Sequence, residues 1–317
     1  MSERTRILVI KLSALGDFVQ ATGPFAAIRA HHADAKITLL TTKPFVELAE
    51  QSPYFDEIWV DARPRPWEVA GLLRLRKLLR SVKFDMVYDL QTSERSSNYF
   101  HIMGGPPWSG IANGCSHPHA NPDRDSMHTL ERQAEQLAMA GIPATPPPDL
   151  SWVVADVARF NLPGRYILLA PGAAMHRPAK RWPAERFAEI GRRLARQGVA
   201  SVVLGTQVDA EPIKQLRAHY PEALSLAGKT SFADIVGLAR QALGSLGNDT
   251  GPMQLIAAAD CPAVVLFSND SEPALCAPRG RVTVIRRPDL AEIETDAILA
   301  ALGEGPGALR DRVSSAG

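Results

Sequence analysis

The sequence predicts an α/β protein built from two Rossmann-like, doubly wound domains, and three observations lead there. Short apolar runs alternate with helical patterns along most of the chain, the alternation begins again after about residue 150, and a proline-rich break, TPPPDLSWVV at 145–154, separates the two rounds. Strands that alternate with helices pair in parallel and are covered on both faces, which is why they read as continuous apolar runs. A chain of 317 residues is long enough for two cores. The expected domains are 1–150 and 151–317, with a linker near 145–160 that cannot sustain a helix. The last helix is free to pack back on the first domain.

In the first domain RILVI (6–10), KITLLTT (36–42), EIWV (57–60) and MVYDLQ (86–91) read as strands, with helices at about 17–31 and 67–83. In the second, the strands are YILLA (166–170), VASVVLG (199–205), ALGSLGN (242–248) and AVVLFS (263–268). The glycine-rich polar tail after 303 is expected to fray. Open α/β sheets bind ligands at the carboxyl ends of their strands, so a cleft between the domains is the expected site.

Hydrophobic residues make up 45% and charged residues 22%, the composition of a soluble globular protein. With 35 Lys and Arg against 34 Asp and Glu, bulk charge disfavours nucleic acid as a partner. Cys115, Cys261 and Cys276 are odd in number and far apart, as free thiols of a reducing compartment are. MSERTR before the first strand is too short and polar for a signal peptide, and no apolar run approaches the ~20 residues of a membrane span. The expectation is a cytoplasmic protein whose membrane contact, if any, is peripheral.

Three stretches carry chemistry. In LGNDTGPMQLIAAA (246–259) a strand meets a polar turn and Pro252 opens a helix. The turn's N–H groups and the helix dipole suit an anion; an ordinary Asx-capped turn explains the same residues. In LLAPGAAMHRPAKRWPAERFAEIGRRL (168–194) a strand runs through Gly172 into a loop with His176, Arg177, Lys180 and Arg181. Lys180 there can neutralise charge on a leaving nucleotide, a task often given to a metal; a merely solvated loop is the alternative. ILVIKLSALGDFVQATG (7–23) begins like a phosphate loop, yet has one glycine, Gly16, followed by Asp17. Asp17 is either a helix cap or a base.

KLSALGDFVQATG, PGAAMHRPAKRWPAERF and GNDTGPMQLIAAA, in that order and spacing, resemble glycosyltransferase family 9, which includes the ADP-heptose:lipopolysaccharide heptosyltransferases. The resemblance covers about 6–290. It implies a GT-B fold, an ADP-sugar donor in the second domain, a lipid-linked sugar acceptor in the first, and metal-independent transfer with inversion. It also implies that Asp17 is the catalytic base and that Lys180 contacts the donor diphosphate. Asp249, Thr250 and Gly251 would receive the nucleotide, and Thr230 would line the adenine pocket. The chain departs from the family at Gln254, where a histidine is common, and at Met175 and His176, where hydroxyl side chains are common. The family's acidic residue near the ribose has no firm counterpart in GTQVDAE (205–211).

Acceptor-side candidates are Ser13, Gln91, His128 and Arg132, with Arg76 and Arg80 on helix 67–83. That helix places Leu72, Leu75, Leu78, Leu79 and Val82 on one face and Arg76, Lys77, Arg80 and Lys83 on another. The basic face suits an anionic lipopolysaccharide precursor or the inner face of the inner membrane, or is simply solvated. NGCSHPHANPDRDSMH (113–128) has histidines and an Asp-Arg-Asp, but its spacing fits no zinc pattern, and no metal is expected. The expected activity is inverting transfer of a sugar, heptose from ADP-heptose, to a lipopolysaccharide inner core. A nucleotide-sugar epimerase and a non-catalytic nucleotide-sugar or lipopolysaccharide-binding protein are the alternatives. A dehydrogenase is disfavoured because neither half has a GxGxxG opening its first helix.

Overall fold

Ile7 to Ile10 have no exposed surface, because β1 (Arg6–Ile10) is the central strand of a parallel sheet buried on both faces. After it come α1 (Leu15–Gln20), α2 (Thr22–His31), β2 (Lys36–Thr41), α3 (Val46–Glu50), β3 (Glu57–Val60) and α4 (Val69–Leu79). β4 (Met86–Asp89), α5 (Glu94–Met103), β5 (Trp108–Gly110), β6 (His117–Pro118) and α6 (Thr129–Met139) complete this half. The computed structural model describes residues 4–173, 177–305 and 307–310. These fall into two units divided between Trp152 and Val153.

The second unit contains β7 (Tyr166–Ala170), α7 (Ala184–Ala195), β8 (Ala200–Val203), α8 (Ala210–His219), β9 (Leu224–Ser225) and α9 (Phe232–Gln241). It continues with β10 (Gly244–Asn248), α10 (Gly251–Ala258), β11 (Ala263–Phe267), α11 (Pro273–Cys276), β12 (Val282–Arg286) and α12 (Thr295–Gly303). The strand orders are β3-β2-β1-β4-β5-β6 and β12-β11-β10-β7-β8-β9. Both are the doubly wound order, in which the winding reverses between the first and fourth strands. The two reversal points, β1 beside β4 and β7 beside β10, are where such a sheet opens a crevice at its carboxyl edge.

Each unit has its own core. Leu8, Ile10 and Val87 of the first sheet pack with Leu75 and Leu79 of α4 and with Phe100 and Trp108. In the second, Phe187, Ile190 and Leu194 of α7 bury fully against Ile167, Leu169 and Leu246. Burial of each such side chain contributes about 1.5–3 kcal/mol. Ile298 and Leu302 of α12 belong to this second core.

Several elements differ from expectation. Helix 17–31 starts earlier, at Leu15, and is interrupted at Ala21. Pro24 has no N–H to donate to the Gln20 carbonyl, which separates α1 from α2. Gly23 is needed there, since a Cβ would stand 2.1 Å from the Pro146 carbonyl oxygen. In α4 it is Gly71 that lies against Pro64, while Leu72 is turned outward at 38% exposure. β5, β6 and β9 have only two or three residues, too few for any pattern, and β12 is a half-exposed edge strand. The start of the tail does not fray: Leu309 N–H donates to Leu302 O at 2.9 Å and Arg310 N–H to Leu243 O at 2.7 Å. Among the described residues no helix is long and apolar enough to cross a membrane.

Candidate functional site

β10 ends in Asn248, whose side chain is fully buried. Its Nδ2 donates to the carbonyls of Pro171 at 2.8 Å and Gly172 at 3.2 Å, and its Oδ1 accepts from Trp182 N–H at 3.0 Å. One amide thus joins the end of β10 to the loop after β7. Gly172 is demanded by its surroundings: a Cβ would lie 2.2 Å from Asp209 Oδ1. That carboxylate, just after β8, caps its own turn by accepting from Thr206 N at 2.8 Å and Thr206 Oγ1 at 2.9 Å.

Next to this joint Lys180 Nζ meets Asp249 Oδ2 at 2.5 Å, with both side chains nearly buried. Thr250 holds the N-cap position of α10 in an extended conformation, but its hydroxyl caps nothing. Its Oγ1 is buried and has no hydrogen-bond partner among the described residues. Gly251 and Pro252 form the first turn of α10. A lysine, an unsatisfied hydroxyl and a helix N-terminus converge at the β7/β10 reversal, a combination that favours an anion. Thr230 lies on the same carboxyl edge, after β9 and directly before Ser231, the N-cap of α9. Gln254 is buried and donates through Nε2 to Cys276 O at 2.7 Å, tying α10 to α11. Met175 and His176 lie outside the described residues.

The first unit's reversal holds a small cavity lined by Lys11, Asp17, Gln91, Arg124, Arg132 and Gln133, among others. Asp17 is not the N-cap; that position is Ala14, and Asp17 is the third residue of α1. Its Oδ2 accepts from Ala14 N–H at 3.1 Å, so it closes the helix start from inside. The loop that carries it is held by Gln91, whose Oε1 accepts from Leu12 N–H at 2.8 Å and Ser13 N–H at 3.0 Å. Gln91 is itself fixed by Asp89, whose Oδ1 accepts from Gln91 N–H at 3.1 Å and Thr92 N–H at 3.0 Å. Burial raises the Asp89 pKa to about 6, opposed by these two amides and by Lys11.

The cations of this cavity crowd one another. Lys11 is buried with Nζ donating to Leu90 O at 3.0 Å, and burial pulls its pKa down, partly offset by Asp17 and Asp89. Arg124 is pulled down as well, by burial and by the like charge of Arg132. Arg124 is aimed by a relay: its Nε donates to His119 Nδ1 at 3.2 Å, and His119 Nε2 donates to Glu135 Oε2 at 2.8 Å. An arginine donor at Nδ1 leaves the neutral ring with its proton on Nε2. The His119 and Asn121 hydrogen bonds hold the Glu135 carboxyl below its usual range.

The sequence model described as "Glycosyltransferase family 9 (heptosyltransferase)" matches residues 72–295. The chain belongs to glycosyltransferase family 9. It is therefore built as a glycosyltransferase, with the two-sheet GT-B architecture of that family. Lipopolysaccharide heptosyltransferase 2 of Salmonella typhimurium is 26% identical over 299 residues, covering 84% of this chain and 83% of that protein. A family 9 glycosyl transferase of Veillonella parvula superimposes with a TM-score of 0.84 at 22% identity, over 94% of this chain and 96% of the other. Heptosyltransferase WaaC of E. coli, solved with ADP, superimposes with a TM-score of 0.75 at 20% identity, over 93% and 98% of the two chains.

In this family 9 chain the other candidates are spread out. Arg132 lines the Asp17 cavity, whereas Ser13 is engaged there through its backbone N–H. His128 caps α6, its Nδ1 accepting from Leu130 N–H at 3.2 Å. Arg76 and Arg80 are exposed on α4 and do not line the cavity. The histidines of 113–128 are engaged in hydrogen bonds, His117 with Ser116 and His119 in the relay above. No group of three His, Cys, Asp or Glu suited to a metal occurs among the described residues. Lys11 and Asn248 lie inside the motifs quoted above and His119 and Arg124 inside 113–128, yet none of the four is among the candidate site residues. Only Lys11 leaves a trace, as a charge inside the apolar run ILVIKL.

Proposed function

We propose that this family 9 glycosyltransferase transfers heptose from ADP-heptose to a lipopolysaccharide inner-core acceptor, with inversion and with Asp17 as the base. The observation that carries the assignment of roles is the contrast between the two reversal points. The second unit gathers groups suited to an anion, Lys180, the Thr250 hydroxyl and the start of α10. The first unit places the Asp17 carboxylate in a cavity that Lys11, Arg124 and Arg132 also line. The ADP found with the structurally similar E. coli enzyme supports a nucleoside diphosphate at the former. Relatives that are lipopolysaccharide heptosyltransferases support the donor and acceptor classes, and do not favour an epimerase or a binding protein.

In the reaction the acceptor hydroxyl attacks the anomeric carbon while Asp17 takes its proton and the C–O bond to ADP breaks. Charge developing on the diphosphate is met by Lys180 and by the dipole of α10. For this Lys180 turns from Asp249 to the phosphate. Lys11, Arg124 and Arg132 receive an acidic group of the acceptor sugar, relieving their mutual repulsion. A lipid-linked acceptor brings the enzyme to a membrane surface on the cytoplasmic side.

The test is Asp17→Asn, which keeps an oxygen to accept from Ala14 N–H. With ADP-heptose and a truncated lipopolysaccharide acceptor, ADP release is expected to fall about 10²–10⁴-fold, the usual contribution of a general base. ADP affinity measured by calorimetry should stay as in the parent. Turnover near the parent's would remove Asp17 from the role.

A further inference from the structure

We infer that the outer face of α4, with the loop before it, docks on the surface of an anionic phospholipid bilayer. Large apolar side chains are exposed in one short stretch, with Trp67 at 71%, Val69 at 63% and Leu73 at 59%. α4 turns Leu75 and Leu79 into the core. Val69, Leu73, Lys77 and Arg80 recur at helical spacing on the opposite side. The apolar residues occupy the start of this face and the cations its end. Between residues 69 and 83 there are five cations, Arg74, Arg76, Lys77, Arg80 and Lys83, and no acid.

A helix face that is merely solvated carries charges of both signs, paired three or four residues apart. From 69 to 83 this one has a single sign, with the exposed Glu68 just before it, beside an exposed apolar end, the complement of a negative surface over a hydrocarbon layer. Apolar insertion and polybasic attraction are also the two signals a peripheral protein combines, since either alone binds weakly. The patch is firmly presented. The buried Asp61 carboxylate accepts from Arg63 N–H at 2.7 Å, from Tyr99 OH at 2.5 Å and from Arg95 Nε at 3.2 Å. The Arg65 guanidinium lies over the Trp67 ring, 5.4 Å from its centroid. Tryptophan beside arginine is the pairing found at headgroup depth.

The inference rests on the transferase reading only for bringing the enzyme to a membrane, and its test needs neither donor nor acceptor. The full chain is mixed with vesicles of phosphatidylcholine alone or with about one third phosphatidylglycerol, at low salt. Cosedimentation is expected only with the anionic vesicles, with a blue shift of tryptophan emission that Trp67→Phe removes. Lys77→Gln with Lys83→Gln should weaken partitioning about 25-fold, roughly fivefold for each cation near such a surface. Leu73→Ser should weaken it at unchanged melting temperature, since its site is exposed. Equal binding to both vesicle types, or binding indifferent to these substitutions, would overturn the inference. So would cation variants that lose only the affinity for a delipidated acceptor sugar, which would assign the face to the substrate. Transfer to that delipidated sugar by the parent protein tests the transferase reading separately.

Discussion

Replacing Asn248 should damage both the second unit's stability and its affinity for ADP. The side chain makes three hydrogen bonds from a fully buried position, to Pro171 O, Gly172 O and Trp182 N. Each is worth about 1 kcal/mol net, and buried partners left unpaired add about 1–3 kcal/mol apiece. Because the lost bonds and the unpaired partners are in part the same energy, Asn248→Ala should cost about 3–5 kcal/mol, a large share of the 5–15 kcal/mol typical of a domain. Asn248→Asp should be no better: its oxygen still accepts from Trp182 N–H, but a buried carboxylate then faces two carbonyls it cannot donate to. Two units need not unfold together, so urea unfolding should be followed by the emission of Trp182, in the second core, with the other four tryptophans replaced by Phe in parent and variant alike. The control is Thr250→Ala, one turn away. Its hydroxyl has no partner among the described residues, so stability should change by no more than about 0.5 kcal/mol while ADP affinity falls. A loss below about 1 kcal/mol in Asn248→Ala, or equal losses in both variants, would refute this account of the donor turn.

Two further outcomes follow from the first unit. His119→Ala should release Arg124, raising the acceptor KM about tenfold with kcat little changed, the size of one charge-assisted hydrogen bond; an acceptor stripped of its acidic group should show no such difference between parent and variant. Asp89 titrates near pH 6 in the folded protein and near 3.9 in an unfolded chain. Between those values the native state binds more protons, so this group's contribution to stability falls as pH rises, by about 3 kcal/mol in all. Chemical denaturation from pH 4 to 7 should show that slope in the parent relative to Asp89→Asn.

How far the sequence discloses this molecule depends on how local the information is. The eight strands with four or more buried apolar residues, or with a clear apolar run, are legible one by one. β5, β6 and β9 are not, because their two or three residues pair only once neighbouring strands exist. The motif residues Asp17, Lys180 and Thr250 are legible because each lies in the stretch that links a strand to the next helix or in that helix's first turn. Arg124 and His119 lie between β6 and α6 with no recurring pattern around them, and only the tertiary fold brings Arg124 to the cavity that Asp17 lines. Nothing around Asn248 in LGNDTG shows that its partners are 66 to 77 residues away. The metal-like content of 113–128 reads differently once His119 is seen orienting an arginine.

The two reversal points use one piece of architecture with opposite occupants. A doubly wound sheet concentrates strand ends and helix N-termini where its winding reverses, and such a place favours negative charge. In the second unit Asp249 holds Lys180 in an ion pair beside the start of α10, and Thr250 Oγ1 there has no hydrogen-bond partner among the described residues. In the first unit Asp17 stands in the first turn of α1, where a phosphate-binding turn has glycine. In the proposed mechanism Lys11, Arg124 and Arg132, which line the Asp17 cavity with Asp89 and Asp125 also close to them, would receive an acidic group of the acceptor beside the hydroxyl that Asp17 would deprotonate. A carboxylate as base and phosphates as leaving group repel one another in a shared site. In the proposed mechanism, dividing them between two sheets would let each be stabilised by its own cations, so that proton removal and departure of the nucleotide would each meet a preorganised charge.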